Sequence, residues 1–277
     1  MGGRRIVGAY GLRIEGLAEA AGLMQPVAAD ATPLAITSRI CAGGADHERP
    51  SEVSWEHADV RLLHGGRLRM RRGLPEVEFA LPAPLATHEL LHPYLAPAAA
   101  LAQLWDGNEA LHAGGFVVGN RAIVLLGDKE RGKSTTLAWI AARYRLAVLA
   151  DDLCIVADGA VLAGPRCLDV RSHPEIDVGG GKPVRDDRNR VTLGPAPAAV
   201  PIAGIVHLDW ADQPRLVPVP IEKRFGSLFE HRMFNVHLNV DPVGFLGLAA
   251  VPMLTLARPT GAAGLAAGVE LLLEHFS

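Results

Sequence analysis

The chain has 277 residues, of which 49% are apolar and 21% charged, and a formal net charge of -3. That balance supplies ample material for a packed core and excludes a disordered chain. It equally excludes a general nucleic-acid binder, which needs a broad basic surface.

Residues 1–5 are basic, but no apolar run with a cleavage site follows them. Short strands are expected over residues 6–10, 34–40 and 67–71, broken by glycine and proline, with a helix over residues 15–24. The run Arg67-Leu68-Arg69-Met70-Arg71-Arg72 alternates, so it reads as an exposed strand with its arginines on one face. The sharper alternative is a docking strip for an acidic peptide or a phosphate. Leu81-Pro82-Ala83-Pro84-Leu85 marks a boundary, because its prolines stiffen the chain and block regular pairing. The expected division is a smaller β-rich domain over residues 1–87, a candidate for substrate recognition, and a larger domain over residues 88–277.

The larger domain reads as α/β. A helix over residues 98–105 leads into the turn triplet Asp106-Gly107-Asn108. Strands follow at 116–118 and 122–126, then a helix over 133–144 and an unbroken apolar strand at 146–150. Further strands are expected at 160–163, 202–208 and 253–257, with helices within 221–236 and over 265–276. The most apolar stretch, residues 245–257, is too short to span a bilayer and contains Pro252, so no membrane association is expected. Cys41, Cys154 and Cys167 are widely spaced and form no CxxC pair, which supports neither a disulfide framework nor a cysteine zinc site. A cytoplasmic, reducing location follows, with Cys154 and Cys167 read as small buried hydrophobes.

Between the 122–126 strand and the 133–144 helix lies Gly127-Asp128-Lys129-Glu130-Arg131-Gly132-Lys133-Ser134, a match to G-x-x-x-x-G-K-S/T followed by Thr135. Gly127 permits the sharp exit from the strand, and Gly132 lets backbone approach phosphate oxygens. The loop amides and the helix N-terminus make an anion nest. Lys133 adds positive charge for the terminal phosphates, and the Ser134 hydroxyl is suited to magnesium. Lys129, Glu130 and Arg131 are bulky for such a loop. ATP and Mg2+ are therefore the expected cofactors. The 146–150 strand ends in Asp151-Asp152, and parallel strands present their C-terminal ends on one edge, so the pair should lie beside the phosphates. One carboxylate (Asp152) would hold magnesium, while the other (Asp151) accepts a hydroxyl proton.

Taken together, Leu111-His112-Ala113-Gly114-Gly115, residues 122–134 and Leu149-Ala150-Asp151-Asp152 resemble the C-terminal domain of HPr kinase/phosphorylase. The chain is similar, more closely, to short HPr-kinase-like proteins encoded with ribosomally made peptides, such as lasso-precursor kinases. Ala9-Tyr10-Gly11-Leu12-Arg13-Ile14 at the start carries that second likeness, as do Val251-Pro252-Met253-Leu254 and Arg258-Pro259 near the end. The resemblance implies a P-loop kinase fold of the HPr kinase/phosphoenolpyruvate carboxykinase type. It implies ATP- and magnesium-dependent phosphorylation of a serine on a peptide or small protein. It places Lys133 and Ser134 at the phosphate and metal, Asp151 as general base, Asp152 near the metal and His112 near the acceptor. The longer kinases carry Glu-x-Arg-Gly after the aspartates, where this chain has Arg166-Cys167-Leu168-Asp169-Val170-Arg171, so Asp169 and Arg171 are the candidates there and the reverse reaction is not implied. A homo-oligomer is compatible with all of this.

Rival readings remain. His88-Glu89-Leu90-Leu91-His92 matches H-E-x-x-H, which on a helix would bind zinc, with Glu109 downstream as a third ligand. Pro93 disfavours helical geometry at His92 and argues against it. The others are a kinase of a small-molecule hydroxyl and a non-catalytic nucleotide sensor. Gly179-Gly180-Gly181-Lys182 reads as a loop that could close over substrate. Arg185, Arg188 and Arg190 read as solvated surface charges, or as contacts to acceptor or phosphate.

Overall fold

The first two strands form a hairpin whose turn the sequence dictates. Val7–Ala9 pairs antiparallel with Leu12–Glu15 across Tyr10 and Gly11, whose φ angles are 57° and 75°. Two positive φ values twist a two-residue turn to match its strands, and glycine adopts the second without strain. This computed structural model describes residues 6–41, 49–62, 65–172, 181–185, 187–234 and 242–277. Residues 1–5, Gly179, Gly180, the Arg185 side chain and the end of the helix expected within 221–236 lie outside the described residues.

The hairpin belongs to an eight-stranded sheet in the order Gln25–Pro26, Val7–Ala9, Leu12–Glu15, Pro33–Ile40, Glu76–Leu81, Arg67–Arg71, His57–Arg61, Glu52–Val53. The alternation of Arg67–Arg71 is real, since Leu68 and Met70 are buried on one face. Its arginine face is not an open strip, however, and that expectation needs correction. Arg67 is only 2% exposed and pairs with Asp59, while Arg69 reaches Asp59 and Glu78 at 3.3 and 3.6 Å. A buried guanidinium must have its donors satisfied, and here the neighbouring strands provide carboxylates. Burial opposes ionisation of Asp59, yet hydrogen bonds from Arg67 and Arg69 hold its carboxyl below the usual range.

The second sheet is nine-stranded and mixed. Its path runs Val148–Ala150, Gly114–Val118, Arg121–Leu126, Ala199–Trp210, Ala160–Leu162, Cys154–Ala157, Glu109–Leu111. Met253–Arg258 joins Ala199–Trp210 in parallel and carries Arg215–Pro218 at its side. Arg121–Leu126 reads as a continuous apolar run because both faces are covered. Ala122, Val124 and Leu126 enter one buried cluster, and Ile123 and Leu125 enter another with Leu137, Ile140, Leu265 and Val269 of the helices Lys133–Tyr144 and Gly261–Phe276. A small sheet of Cys167–Arg171, Arg188–Thr192 and Lys182–Arg185 completes the mixed α/β architecture.

The helix Leu95–Trp105 is apolar nearly all round and buried nearly all round. Its first cluster of neighbours extends from Ala9 and Phe79 of the first sheet to Ile155 and Val161 of the second. Gln103 Nε2 donates to the Tyr10 carbonyl at 2.6 Å, and Trp105 Nε1 to the Ser54 carbonyl at 3.1 Å. Cys154 and Cys167 are buried free thiols, as their composition context implied, and burial pushes both thiols up. Among the described residues no helix is long and apolar enough to cross a membrane.

Candidate functional site

Residues 127–134 connect Arg121–Leu126 to Lys133–Tyr144, the strand–loop–helix setting the sequence predicts. Gly127 has φ 148° and Gly132 φ 82°, conformations that strain a side chain. A Cβ on Gly132 would also sit 2.9 Å from Nη2 of Arg258, so that glycine admits a buried arginine beside the helix N-terminus. The bulky members of the loop are drawn outward. Glu130 accepts from Arg171 at 2.8 Å and Arg131 pairs with Asp209 at 3.0 Å, while Asp128 and Lys129 are exposed. Lys133 turns inward, donating to the carbonyls of Gly127 and Asp128. Burial pulls its ammonium below the usual value, against the attraction of Asp151, Asp152 and Asp128.

The aspartates come to this edge by sheet topology. Arg121–Leu126 and Val148–Ala150 both run antiparallel to Gly114–Val118, which lies between them, with Gly114 opposite Leu125 and Gly115 opposite Ala150. The two strands are therefore parallel to each other and end on one edge, next to where the intervening strand begins. A Cβ on Gly114 would meet Leu137 at 2.4 Å, so this glycine lets the Lys133–Tyr144 helix lie close over the sheet. Ser134 Oγ donates to Asp151 Oδ1 at 3.1 Å, joining the loop to the aspartate pair through Asp151 rather than Asp152. Asp151 is 3% exposed, and its Oδ2 has no hydrogen-bond partner among the described residues. Burial, reinforced by the Asp152 charge, pushes its carboxyl well above the usual range. Asp152 sits at φ 63° and is partly exposed.

His112 precedes Gly114–Val118 and pairs through Nδ1 with the Asp152 carbonyl at 3.0 Å, which makes Nδ1 the protonated nitrogen and leaves Nε2 its other polar atom. Burial and the Lys133 charge lower its pKa, favouring the neutral ring. Sequence reasoning did not find His231. Its backbone carbonyl accepts the His112 N–H at 2.7 Å, its Nδ1 donates to the Ser227 carbonyl at 2.7 Å, and its Nε2 accepts the Gly127 N–H at 3.2 Å. Met233 N donates to the Ala110 carbonyl at 2.9 Å, so residues 231–233 lie along Glu109–Leu111 like a short added strand. No local signal marks this contact, because the loop and His231 are 104 residues apart.

The zinc-protease reading is overturned. His92 has φ -149° and ψ 121°, outside helical geometry, as the following Pro93 implied. His88 is exposed, and Glu109 pairs with Arg232 at 3.0 Å. His92 instead is 2% exposed, with Nε2 4.0 Å from Asp152 Oδ2. The clamp that sets this geometry is Arg190, expected on a solvated surface but only 6% exposed. It bonds both carboxylate oxygens of Asp169 at 2.7 and 2.9 Å and the carbonyls of His88 and His92 at 2.7 and 2.6 Å. Asp169 thus holds an arginine, while Arg171 serves the loop through Glu130. Arg188 donates to the Asp169 carbonyl at 3.0 Å.

No protein-family model matches the chain, and no curated protein matches it. Among solved structures, the Hpr(Ser) kinase/phosphatase from Coxiella burnetii is similar at 9% identity and a TM-score of 0.29, over 61% of this chain and 97% of that one.

Proposed function

We propose that the protein is an ATP-dependent phosphotransferase of the HPr-kinase-like kind that phosphorylates a serine hydroxyl on a peptide or small protein. The observation that carries this reading is the contact of Ser134 with Asp151, 3.1 Å, at the mouth of a loop whose lysine is turned inward. It joins a phosphate-type nest to a buried carboxylate of raised basicity, which transfer needs and nucleotide sensing alone does not.

In this reading the loop amides other than that of Gly127, which His231 takes, hold the phosphates of ATP together with Thr135, and Lys133 lies against the β- and γ-phosphates. Ser134 and Asp152 are suited to Mg2+, which when bound neutralises charge on the phosphates. Asp151 takes the proton of the acceptor hydroxyl as that oxygen bonds to the γ-phosphorus. The bond from the γ-phosphorus to the bridging oxygen breaks, and ADP carries away the electron pair. His112, held neutral with Nδ1 on the Asp152 carbonyl, orients the acceptor through Nε2.

The test is mass spectrometry of ATP-treated peptides encoded by neighbouring genes, with calorimetry of Mg·ATP binding alongside. A gain of one phosphate on serine is expected. Asp151→Asn should lower the rate by about 10²–10⁴-fold, and Lys133→Ala should abolish transfer. Heat of ATP binding with no phosphate gain on any peptide or small-molecule alcohol would leave a nucleotide sensor and sink the kinase. Transfer to the alcohol alone would move the acceptor to a small molecule.

A further inference from the structure

We propose that His92, Asp151 and Asp152 form a site for a first-row transition-metal dication that fills without nucleotide. One donor atom from each residue lies within 4.8 Å of the other two. Ligands on an ion at roughly 2.1 Å sit within about 4.2 Å of each other, and His92 Nε2 lies 4.0 Å from Asp152 Oδ2. His92 and Asp151 are 2% and 3% exposed, so two of the three donors are already desolvated. Asp151 Oδ1 takes the Ser134 hydroxyl, while Oδ2 has no hydrogen-bond partner among the described residues. A buried carboxylate oxygen in that position wants a cation.

Placement of the imidazole is fixed from behind. The chain leaves helical geometry at His92, and Arg190, locked on Asp169, binds the carbonyls on both sides of that break. Support of this kind, in which outer groups orient a ligand, is typical of metal sites. The donor set also chooses among ions. Mg2+ prefers oxygen ligands, retains its waters and usually arrives with the nucleotide phosphates. One imidazole beside two carboxylates favours a transition ion and needs no phosphate to complete it. A dication on Asp151 lowers the basicity of that carboxylate, so the ion belongs to the nucleotide-free chain and leaves before Asp151 acts as the base proposed above; its binding does not rest on that function.

The probe is Mn2+ alone, added to the full nucleotide-free chain and followed by electron paramagnetic resonance of the free ion. Wild type should bind a single ion per chain, displaced by Mg2+ only in at least tenfold excess. His92→Ala should weaken Mn2+ binding at least tenfold, whereas Lys133→Ala should bind Mn2+ no less tightly while losing Mg·ATP. Spin-echo modulation from a coordinated ¹⁴N is expected in wild type and, equally, in His112→Ala, which assigns the nitrogen to His92. Unchanged Mn2+ affinity in a folded His92→Ala, or a bound ion with no ¹⁴N modulation, overturns the proposal. Should circular dichroism show that His92→Ala is unfolded, the modulation decides. Absence of Mn2+ binding to wild type overturns the site even if Mg·ATP binds; Mn2+ binding without ATP heat overturns only the phosphotransferase reading.

Discussion

Two buried arginines, one in each large part of the molecule, use the same chemistry to different ends. In the first sheet Arg67 pairs with Asp59 and donates to the carbonyls of Arg49 and Pro50 at 2.7 and 3.2 Å. In the second part Arg190 pairs with Asp169 and donates to the carbonyls of His88 and His92. Each guanidinium offers five donors in a rigid fork, so one carboxylate and two carbonyls can be satisfied together. What differs is the segment held. Arg67 fastens residues 49–50, beside the outermost strands of the first sheet, with Asp59 still 17% exposed. Arg190 fastens the break that aims His92 at the aspartates, and its Asp169 is 3% exposed. An ion pair is thus neither structural nor functional by its own nature; the backbone it secures decides.

The sharpest way to break this contrast is to remove both arginines separately. Arg190→Ala leaves a carboxylate uncompensated in the interior and should cost about 3–5 kcal/mol in urea unfolding. It should also lower Mn2+ affinity and phosphate transfer at least tenfold, because the carbonyl of His92 loses its anchor. Arg67→Ala, whose partner can be rehydrated, should cost about 1–3 kcal/mol and leave both site readouts unchanged. If the two variants damage the site equally, the distinction fails. A smaller effect is expected at the close approach behind the loop. Gly114→Ala sets a Cβ 2.4 Å from the end of the fully buried Leu137 side chain, which must shift to make room. Overpacking of about 1–3 kcal/mol should follow, with weaker Mg·ATP heat as the Lys133–Tyr144 helix is pushed away. Smallest of all, Arg171→Ala breaks the exposed Glu130 and Asp187 pairs and should leave the thermal midpoint within measurement error. A clear drop there would show that surface pairs hold the loop after all.

These contrasts separate what is local from what is not. The 127–134 loop was legible because its glycines, its lysine and the apolar strand before it lie within one short window, and backbone strain is a near-neighbour matter. Placement of Asp151 also followed, from the parallel relation of two strands, although the sequence did not reveal that Gly114–Val118 lies between them. Strands such as Cys154–Ala157 and Arg188–Thr192 went unread. The first is too short to show a period, and the second has charges turned to partners elsewhere in the chain.

By itself the sequence determined the strand–loop–helix unit around residues 127–134, the acids at the end of the next strand and the failure of the helix at His92, since Pro93 acts on its own neighbour. Only the tertiary structure decided where that broken segment goes. Arg190 meets the His88 and His92 carbonyls across 102 and 98 residues of chain, and His231 meets Gly127 across 104. Contacts at such separation leave no periodic trace, because they arise when two sheets share a core and buried polar groups must find partners wherever packing puts them.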